Sequence, residues 1–513
     1  HCALRGLRLL LIERFDKATG ATGRNHGLLH SGARYAVTDQ ESATECIKEN
    51  MILKKIARHC VDDTSGLFIT LPEDDLAYQD TFVKACLAAG INAEVIDPEE
   101  AKRMEPSVNP SLIGAVKVPD GSVDPFRLCA SNVFDAKIHG AKVLVYSEVI
   151  EFIKEQDTIK GVKVLDHHTG IVTDYYAPVT VNAGGIWGHH IAQMAGANIS
   201  MFPAKGALLI FAHRVNSVVI NRCRKPANAD ILVPGDTVCV IGTTSTRVPY
   251  EECDHLKVTP DEVDLLLTEG AKLAPCLAET RVLRAYAGVR PLVSADNDPS
   301  GRNISRGIVC LDHETRDGIK GFISITGGKL MTYRLMGEMA ADAVCKKLGR
   351  DAKCVTADTP LPGSEPGGIE EISKKIWEVP TMVQKASVGR FGTQAANLDF
   401  DGDVKGSLVC ECEEVSVSEV DSAIENLEVN NLVDLRRRTR FGMGTCQGEL
   451  CACRAAGRLA KARKCTAKAR ADLKDFMDER WKGMYPVAWG ETLRESAYTQ
   501  WVYSEVMGLG EEI

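Results

Sequence analysis

Two close pairs of cysteines near the end of the chain are the clearest chemical feature of the sequence. The first pair is Cys410 and Cys412, and the second is Cys446 and Cys451, with Cys453 two residues beyond. Thiolates offered in pairs from two loops can form a four-thiolate metal or iron–sulfur site once the intervening helices bring the loops together. The spacing therefore predicts an electron-handling centre. A structural zinc site satisfies the same pattern and stays the main alternative.

The composition is typical of a soluble globular protein and argues against several functional classes. The 513 residues suggest roughly three domains, and the formal net charge of −9 argues against a nucleic-acid binder. Most of the 18 cysteines stand singly, as small packing residues do. The sequence shows no secretory leader, so we expect reduced thiols and metal ligation rather than disulfides. No apolar run of about 18 residues is present that could span a bilayer.

The start of the chain carries a pattern typical of a dinucleotide-binding unit. Residues 7–13 are a short apolar run that ends in Glu13, which predicts a buried parallel strand closed by an acid. In such units the acid that ends the second strand binds ribose hydroxyls. On this interpretation the first strand and its GxGxxG turn are missing from the chain. An ordinary capping carboxylate is the alternative role of Glu13.

Three glycine-rich turns are the second chemical feature. They cover residues 18–27, 181–188 and 325–334. Glycine lets the backbone approach a ligand closely, and a helix that begins behind such a turn suits phosphate groups. Strand-like runs at 142–146 and 161–165 alternate with helical stretches, which indicates an α/β chain. Three such turns in one chain favour a nucleotide-type cofactor.

Several of these stretches resemble one protein family. Ala18–Tyr35, Val181–Gly188, Ala285–Leu292 and Gly327–Arg334 resemble the FAD-dependent glycerol-3-phosphate dehydrogenases of the D-amino-acid-oxidase superfamily. The cysteine segment, CxC followed by GMGTCQGELC, resembles the 2Fe–2S domain related to bacterioferritin-associated ferredoxin. The resemblance runs over essentially the whole chain. It implies an FAD cofactor, a 2Fe–2S cluster and the oxidation of sn-glycerol 3-phosphate to dihydroxyacetone phosphate.

The resemblance also implies the fold class and the domains. Residues 1–355 are expected to form an α/β, Rossmann-like FAD-binding domain, without its first strand and GxGxxG loop, interleaved with an α+β substrate domain of D-amino-acid-oxidase type. Residues 356–406, which begin with a run rich in Pro and Gly, are expected to be a linker. Residues 407–465 form a small helical 2Fe–2S domain, and residues 466–513 form a C-terminal helical tail.

By the same resemblance, Glu13 contacts the adenosine ribose and the three glycine-rich turns surround the rest of the FAD. The residues expected to bind this cofactor are Glu13, Thr19, Gly20, Thr22, Gly23, Arg24, Asn25, His26, Gly27, Gly184, Gly185, Trp187, Gly327, Gly328, Lys329, Leu330 and Thr332. Small residues in these turns let the flavin meet a substrate carbon while water is excluded.

A phosphorylated substrate requires fixed cations, and arginine suits phosphate because its guanidinium can bind two oxygens at once. The residues that the resemblance assigns to substrate binding are Arg34, Tyr35, Arg290 and Arg306. Catalysis is expected from Arg290, Lys329 and His30. The base that takes the hydroxyl proton is His30 or Lys329, the latter if burial or nearby cations lower its pKa. A structural role of His30 beside the flavin stays open.

The cluster ligands that the resemblance implies are Cys410, Cys412, Cys446 and Cys451, with Cys453 as a competing fifth thiol. Glycines at positions 442, 444 and 448 let backbone N–H groups reach the sulfurs. The arginines at positions 436, 437, 438 and 440 offset the cluster charge, dock an acidic partner or form a solvated basic face.

Electrons are then expected to leave through the cluster to membrane-associated partner subunits, of the B and C kind, and to quinone in anaerobic respiration. This expectation places the chain peripherally on the cytoplasmic face of the inner membrane, with no nucleic-acid partner. Two other functions stay open. One is a related flavin and iron–sulfur dehydrogenase of a hydroxy acid or an amine, and the other is a non-catalytic metal-binding scaffold.

Overall fold

A computed structural model describes residues 1–293, 307–402 and 404–510, so Arg306 lies outside the described residues. The strands, numbered β1 to β22 in chain order, cover Leu10–Ile12, Leu28–Leu29, Val61–Asp62, Gly66–Thr70, Glu94–Ile96, Gly114–Val118, Gly121–Val123, Lys142–Leu144, Ser147–Glu155, Thr158–Asp166, Val172–Tyr176, Thr180–Asn182, Met201–Ala212, Val219–Arg222, Ile231–Pro234, Val238–Gly242, Thr246–Arg247, Val282–Val293, Ile308–Asp312, Phe322–Gly327, Leu408–Cys410 and Val415–Ser416. The α-helices, numbered α1 to α15, cover Gln40–Ile56, Ala77–Ala88, Pro98–Met104, Pro125–Ile138, Gly188–Met194, Pro260–Leu273, His313–Asp317, Tyr333–Lys347, Ile369–Ile376, Met382–Phe391, Val417–Asn426, Leu432–Thr439, Ala452–Arg463, Ala469–Met484 and Gly490–Trp501.

Two short parallel strand pairs form the part of the fold that carries the glycine-rich turns. β1 pairs with β8, and β12 pairs with β20. β1 is shorter than the strand predicted over residues 7–13, but the amide of Glu13 still donates to the carbonyl of Leu144 at 2.9 Å and extends the pairing. Because β12 and β20 are parallel neighbours, the glycine-rich turns that follow them lie side by side at one edge of their sheet.

A large mixed sheet belongs to the same unit as these strand pairs, because its strand β18 contacts β20. Its strand order is β17-β13-β16-β15-β14-β4-β6-β5, and β18 pairs antiparallel with β13 along almost its whole length. The core on this sheet is aliphatic and includes Leu67, Leu209 and Ile241, which are fully buried. α6 packs on β13, and a capping box between Thr259 and Glu262 fixes its first turn.

The segment predicted as a linker, residues 356–406, is folded. It contains α9 and α10, which share a small core around Ile372 and Val388. Arg390 of α10 pairs with Glu419 of α11 and so attaches the segment to the cysteine-containing domain. The sequence misled because the Pro- and Gly-rich composition is confined to the first part of the segment, and helix-forming sequence follows.

The cysteine-containing domain is a small helical unit with one two-stranded sheet, β21 and β22. Its helices α11, α12 and α13 pack around Leu435, Phe441 and Leu459. The tail packs on both units, because Phe476 of α14 joins this core whereas Val487 joins the core of the large sheet. None of the helices in the described ranges has the length and apolar character needed to cross a membrane.

Candidate active site and metal centre

Residues 18–27 form a loop that its own side chains hold in shape. Asn25 donates to two carbonyls of the loop and accepts from a third residue's amide at 2.8 Å. Thr19 donates to a carbonyl just before the loop at 3.0 Å. The loop lies on β18, where the hydroxyl of Tyr286 donates to the carbonyl of Asn25 at 2.7 Å. Thr19 and Asn25, both predicted to bind the cofactor, therefore bond to backbone atoms and shape the loop.

Glycines in this loop occupy places where a side chain does not fit. A Cβ at Gly23 would stand 2.1 Å from the carbonyl oxygen of Ala18, and Gly27 has a φ of +70°. Gly20 packs on the indole of Trp187, where a Cβ would stand 3.2 Å from the ring. The loop and the turn after β12 therefore meet at Gly20 and Trp187.

Asn182, the last residue of β12, organises the second glycine-rich turn. Its Oδ1 accepts from the amide of Gly184 at 3.1 Å, and its Nδ2 donates to the carbonyl of Gly188 at 2.9 Å and to the hydroxyl of Ser324 at 3.1 Å. Trp187, at the end of the turn, has a buried Nε1 that lacks a hydrogen-bond partner among the described residues. A buried donor without an acceptor is unfavourable, so a ligand atom is expected beside it.

The third turn, after β20, carries Lys329 towards the predicted substrate residues. Gly327 and Gly328 have φ angles of +77° and +67°, which other residues adopt only with strain. The amide of Lys329 donates to the hydroxyl of Thr332 at 2.9 Å and closes the turn before α8. The Lys329 ammonium lies 4.7 Å from the centre of the Tyr35 ring, a cation–π distance.

The remaining predicted FAD residues stand around these turns. Glu13 directly follows β1, and burial raises the pKa of its carboxyl, which accepts from a backbone amide two residues on at 3.1 Å. Gly185 has open space where a Cβ would stand. Thr22 is exposed to solvent. Burial lowers the pKa of the Arg24 guanidinium. Leu330 packs at the edge of the core that α1 shares with the third turn.

Together these features fit a flavin nucleotide. The end of β1, the loop at 18–27 and the turns after β12 and β20 offer glycine-lined backbone for close approach. The buried indole N–H of Trp187 requires an acceptor that the described protein atoms do not supply. An FAD has phosphate, ribityl and ring heteroatoms to meet such groups.

Arg34 has a nitrogen available for an anion. Its side chain is only 9% exposed, and its Nη2 donates to the carbonyl of Ala227 at 2.9 Å and to Asp230 at 3.1 Å. Its Nη1 is buried without a partner in the described part of the chain. Asp230 also binds Arg224 at 2.7 Å, so one carboxylate serves two guanidiniums. Positive charge and one unsatisfied donor therefore remain at Arg34, which suits a phosphate.

Arg290 reaches the same region from β18. Its Nη2 donates to the hydroxyl of Thr243. A Cβ at Gly206, on the paired strand β13, would stand 2.6 Å from that nitrogen, so glycine there leaves room for the guanidinium. Burial, followed by the charges of Arg290 and Arg34, lowers the pKa of His26 from 6.5 to about 3. The two arginines therefore both lie near His26, and we call the region around these three residues the pocket.

A row of rings connects the pocket histidines with Lys329. The ring centres of His26 and His30 are 5.9 Å apart, and those of His30 and Tyr35 are 5.4 Å apart. The Nδ1 of His26 accepts from the amide of Leu28 at 3.2 Å, so the neutral ring carries its hydrogen on Nε2. His26 is therefore a hydrogen-bond donor in the pocket rather than a base.

The four predicted cluster cysteines lie next to one another. Hydrogen bonds with Cys412 and then Cys451 lower the pKa of Cys446, and a hydrogen bond with Cys451 lowers the pKa of Cys410. Within the described ranges, no three His, Cys, Asp or Glu side chains already surround a single metal-sized point. A 2Fe–2S cluster divides four thiolates between two irons, and Cys451, which contacts both Cys410 and Cys446, joins the four thiols into one group that offers such a ligand set.

Backbone amides surround these sulfurs. The amide of Gly442 donates to Cys410, and that of Gly448 donates to Cys446. Both glycines have positive φ angles, +69° and +96°, which let the chain turn its N–H groups towards the sulfurs. Such N–H···S bonds stabilise thiolate ligands and influence the reduction potential of a cluster.

Three of the arginines between positions 436 and 440 bind carboxylates of the unit that carries the glycine-rich turns, and they do not form a solvated basic face. Arg437 and Arg438 both pair with Asp16, whose side chain is fully buried. Arg440 pairs with Asp124 at 2.9 Å. These ion pairs attach α12 and the residue that follows it to the residues that precede the loop at 18–27 and to the start of α4, so they join the two units.

Sequence reasoning missed the residues that orient the predicted ones. Asp230 holds Arg34, and Thr243 holds Arg290, across large separations in sequence. No spacing pattern connects such pairs, so nothing in the sequence pointed to them. Asn182 was identifiable, because a lone amide between a strand and a Gly-Gly pair is typical of a residue that fixes a turn.

Two family models match the chain. The model described as FAD dependent oxidoreductase covers residues 1–334, and the model described as BFD-like [2Fe-2S] binding domain covers residues 408–459. The first match alone spans more than half of the chain. The two matched ranges agree with the two units of the fold.

Curated relatives are similar over the whole chain. It is 61% identical to the A subunit of the anaerobic glycerol-3-phosphate dehydrogenase of Haemophilus influenzae. That alignment spans 511 residues and covers 99% of this chain and 91% of the relative. It is 62% identical over 512 residues to the protein of the same name from Escherichia coli K12, which is 100% of this chain and 94% of the relative.

A solved structure supports the fold. The glycerol-3-phosphate dehydrogenase from Bacillus halodurans, complexed with FAD, aligns with a TM-score of 0.70 at 20% identity and covers 96% of this chain and 93% of that one. The predicted α/β fold, FAD and 2Fe–2S cluster are thereby confirmed. The chain belongs to the FAD-dependent oxidoreductase family and, within it, to the family of the A subunits of anaerobic glycerol-3-phosphate dehydrogenase, with a BFD-like [2Fe–2S] domain at its C-terminal end.

Proposed function

We propose that the chain oxidises sn-glycerol 3-phosphate to dihydroxyacetone phosphate. The observation that carries this proposal is the gathering of Arg34, Arg290 and Lys329 around the rings of His26 and Tyr35. The unsatisfied N–H group of Arg34 requires an anionic or polar acceptor from a ligand. Such a pocket favours a small phosphorylated alcohol and disfavours a cationic amine.

The chain's own residues have separate roles in this proposal. Arg34 and Arg290 bind the phosphate, together with Arg306, and Lys329 and Tyr35 hold the substrate beside them. His26 donates a hydrogen bond through Nε2 and stays neutral, because its pKa is about 3. His30 takes the proton from the C2 hydroxyl, with Lys329 as the alternative base. A bound FAD supplies the acceptor for two electrons, and the 2Fe–2S cluster supplies a one-electron carrier.

We further propose that electrons leave through the cysteine-containing domain. The relatives are named as A subunits, which implies further subunits. On this proposal membrane-associated B and C subunits receive the electrons and pass them to quinone in anaerobic respiration. The chain itself is then held peripherally on the cytoplasmic face of the inner membrane.

The substrate proposal is tested with the anaerobically purified holoenzyme. Addition of sn-glycerol 3-phosphate is expected to bleach the flavin absorbance and then reduce the cluster, whereas glycerol without the phosphate is expected to do neither at equal concentration. Bleaching by a hydroxy acid or an amine, but not by the phosphate ester, would contradict the proposal. A colourless protein that contains zinc would support a metal-binding scaffold instead.

The ligand proposal is that Cys410, Cys412, Cys446 and Cys451 hold the cluster. Cys451 contacts Cys410 and Cys446, whereas Cys453 lies beside Tyr503 of the tail. We therefore expect Cys451→Ser to lose most of its bound iron and Cys453→Ser to keep it, measured by iron content and visible absorbance. The reverse result would make Cys453 the ligand.

A further inference from the structure

One face of strand β18 connects the proposed substrate pocket with the cysteine loop. Side chains alternate along a strand, so Arg284, Tyr286, Gly288 and Arg290 share one face. Arg290 stands at the pocket end. Gly288 lies under the loop at 18–27, since a Cβ there would stand 2.3 Å from the carbonyl oxygen of Arg24, and Tyr286 donates to the same loop at 2.7 Å. Arg284 stands at the far end of this face.

The guanidinium of Arg284 contacts Gln447, the residue that follows Cys446. Its Nη1 donates to the Oε1 of Gln447 at 3.4 Å, and the Nη2 of Arg436, from α12, donates to the same oxygen at 3.2 Å. Gln447 is 2% exposed, and its Nε2 donates to two carbonyls of the cysteine loop at 2.9 Å. One buried amide therefore joins an arginine from each unit to the loop that carries two of the proposed cluster ligands.

These two arginines have little compensating negative charge. Arg284 is 7% exposed, and its contact with Glu479 is long, 4.0 Å. The Nε of Arg436 is buried without a partner among the described residues. Burial, followed by the charge of Arg284, holds the pKa of Arg436 well below its usual range, and the charge of Glu479 opposes this shift only in part. Two like charges shielded from water are stable only beside an anion.

We propose that Arg284 and Arg436, joined through Gln447, raise the reduction potential of the 2Fe–2S cluster and so favour electron transfer from the flavin to it. Two ferric ions, two sulfides and four thiolates give the oxidised cluster a net negative charge, and its reduction adds one electron and no proton. Fixed positive charge nearby stabilises the more negative, reduced form. The inference rests on the proposed cysteine ligand set. Both arginines act on the cluster through their charge and do not touch the substrate.

The test is an anaerobic redox titration of the purified holoenzyme with dithionite and mediators, in which electron paramagnetic resonance follows the cluster. We expect Arg436→Gln and Arg284→Gln each to lower the cluster's midpoint potential, and the double variant to lower it further. Arg436→Lys keeps the charge, so its midpoint potential is expected to stay close to that of the unaltered enzyme. Arg458→Gln is the matched control, because Arg458 of α13 is already paired with Asp421, and its potential is expected to match that of the unaltered enzyme.

Iron content separates a change in potential from loss of the cluster. Unchanged potentials in both single Gln variants, with full iron, would overturn the inference, as would an equal shift in Arg458→Gln. If Arg436→Gln loses its iron, two other variants still test the inference. Arg284→Gln removes a charge from outside the cysteine-containing domain, and Arg436→Lys retains the charge at position 436. Dithionite reduces the cluster without the substrate, so the shift in midpoint potential is measurable even if sn-glycerol 3-phosphate fails to bleach the flavin. Failure of the substrate proposal is therefore distinguishable from failure of this inference.

Discussion

Arginines in the substrate pocket and arginines at the boundary between the two units differ in what they bind. At the boundary, Arg438 binds Asp16 with both partners almost fully buried, and Arg440 binds Asp124 at 2.9 Å. In the pocket, Arg34 shares the carboxylate of Asp230 with a second arginine and keeps one buried nitrogen without a partner among the described residues. The first arrangement satisfies its charges within the protein, whereas the second has capacity for a ligand.

This difference shows how the chain separates structural cations from functional ones. A buried guanidinium with its own carboxylate contributes to the attachment of two units, and its loss leaves an unpaired charge. A buried guanidinium whose charge is only partly met is unfavourable until an anion arrives, which makes binding selective for anions. The type of residue is the same in both places, so the distinction lies only in the partners.

The proposed base in the pocket is expected to give the largest effect. His30→Gln should lower kcat by about 100- to 10,000-fold, the usual contribution of a positioned base, and should remove the acidic-limb pKa from the rate profile, because a base must be unprotonated to act. Stopped-flow flavin bleaching at several pH values measures this loss. Lys329→Gln is the matched variant, and if it alone abolished the pH dependence, Lys329 would be the base.

At the boundary, Asp16→Asn is expected to destabilise the contact between the two units. The change leaves Arg438 buried without its charge partner, which costs on the order of 3–5 kcal/mol. Urea unfolding followed by cluster absorbance reports this loss. Asp157→Asn is the control, because its pair with Lys320 is exposed and water screens such a pair. Equal shifts in the two variants would show that the boundary pair is no stronger than a surface pair.

In the pocket, Arg34→Met is expected to raise KM for sn-glycerol 3-phosphate by about 10- to 100-fold, because one charged hydrogen bond is worth roughly 1.5–3 kcal/mol. Initial rates of flavin bleaching against substrate concentration give this number. Arg224→Met is the control, since Arg224 shares Asp230 but also pairs with Glu269 at 3.0 Å. An equal rise in KM for Arg224→Met would mean that Arg34 acts only through Asp230.

The smallest effect is expected in the stability of the protein between pH 7 and about pH 5.5. The pKa of His26 is 6.5 in its ordinary state and about 3 in the fold, so the unfolded chain takes up a proton that the folded chain refuses. Stability therefore falls as the pH drops from about 6.5 towards 3, by up to about 1.4 kcal/mol per pH unit. Between pH 7 and about pH 5.5, the free energy of unfolding of His26→Gln should fall by about 1 kcal/mol less than that of the unaltered protein, measured by urea unfolding.

His255→Gln provides the comparison for that experiment, because His255 is exposed. It is expected to keep the acid sensitivity of the unaltered protein. If His26→Gln kept it as well, the proton uptake would arise elsewhere in the chain. Because burial is the first cause of the His26 shift and the arginines only the second, Arg34→Met should reduce the acid sensitivity only in part.

Much of the candidate site was predictable from the sequence because its parts are local. The glycine-rich turns, the cysteine pairs and the family motifs are each contained in short runs whose residue types limit what the backbone can do. The sequence, through its residue pattern and its family resemblance, therefore predicted the α/β class and the two cofactors. The site roles of Arg34, Arg290 and Lys329 stay predictions. The failed expectation, a linker over residues 356–406, came from extending the composition of a short Pro- and Gly-rich run to residues that form helices.

The amino-acid sequence by itself determined which groups are available: the thiols, the arginines, and the glycines that let the backbone approach a ligand. Only the tertiary structure decided how those groups are used, because partners such as Asp16 and Arg438 are 422 positions apart. The same holds for Gln447, which receives arginines from two different units, and for His26, whose protonation depends on burial and surrounding cations. Hydrogen bonds and charges act over a few ångströms, so their effects are fixed by folding rather than by spacing along the chain.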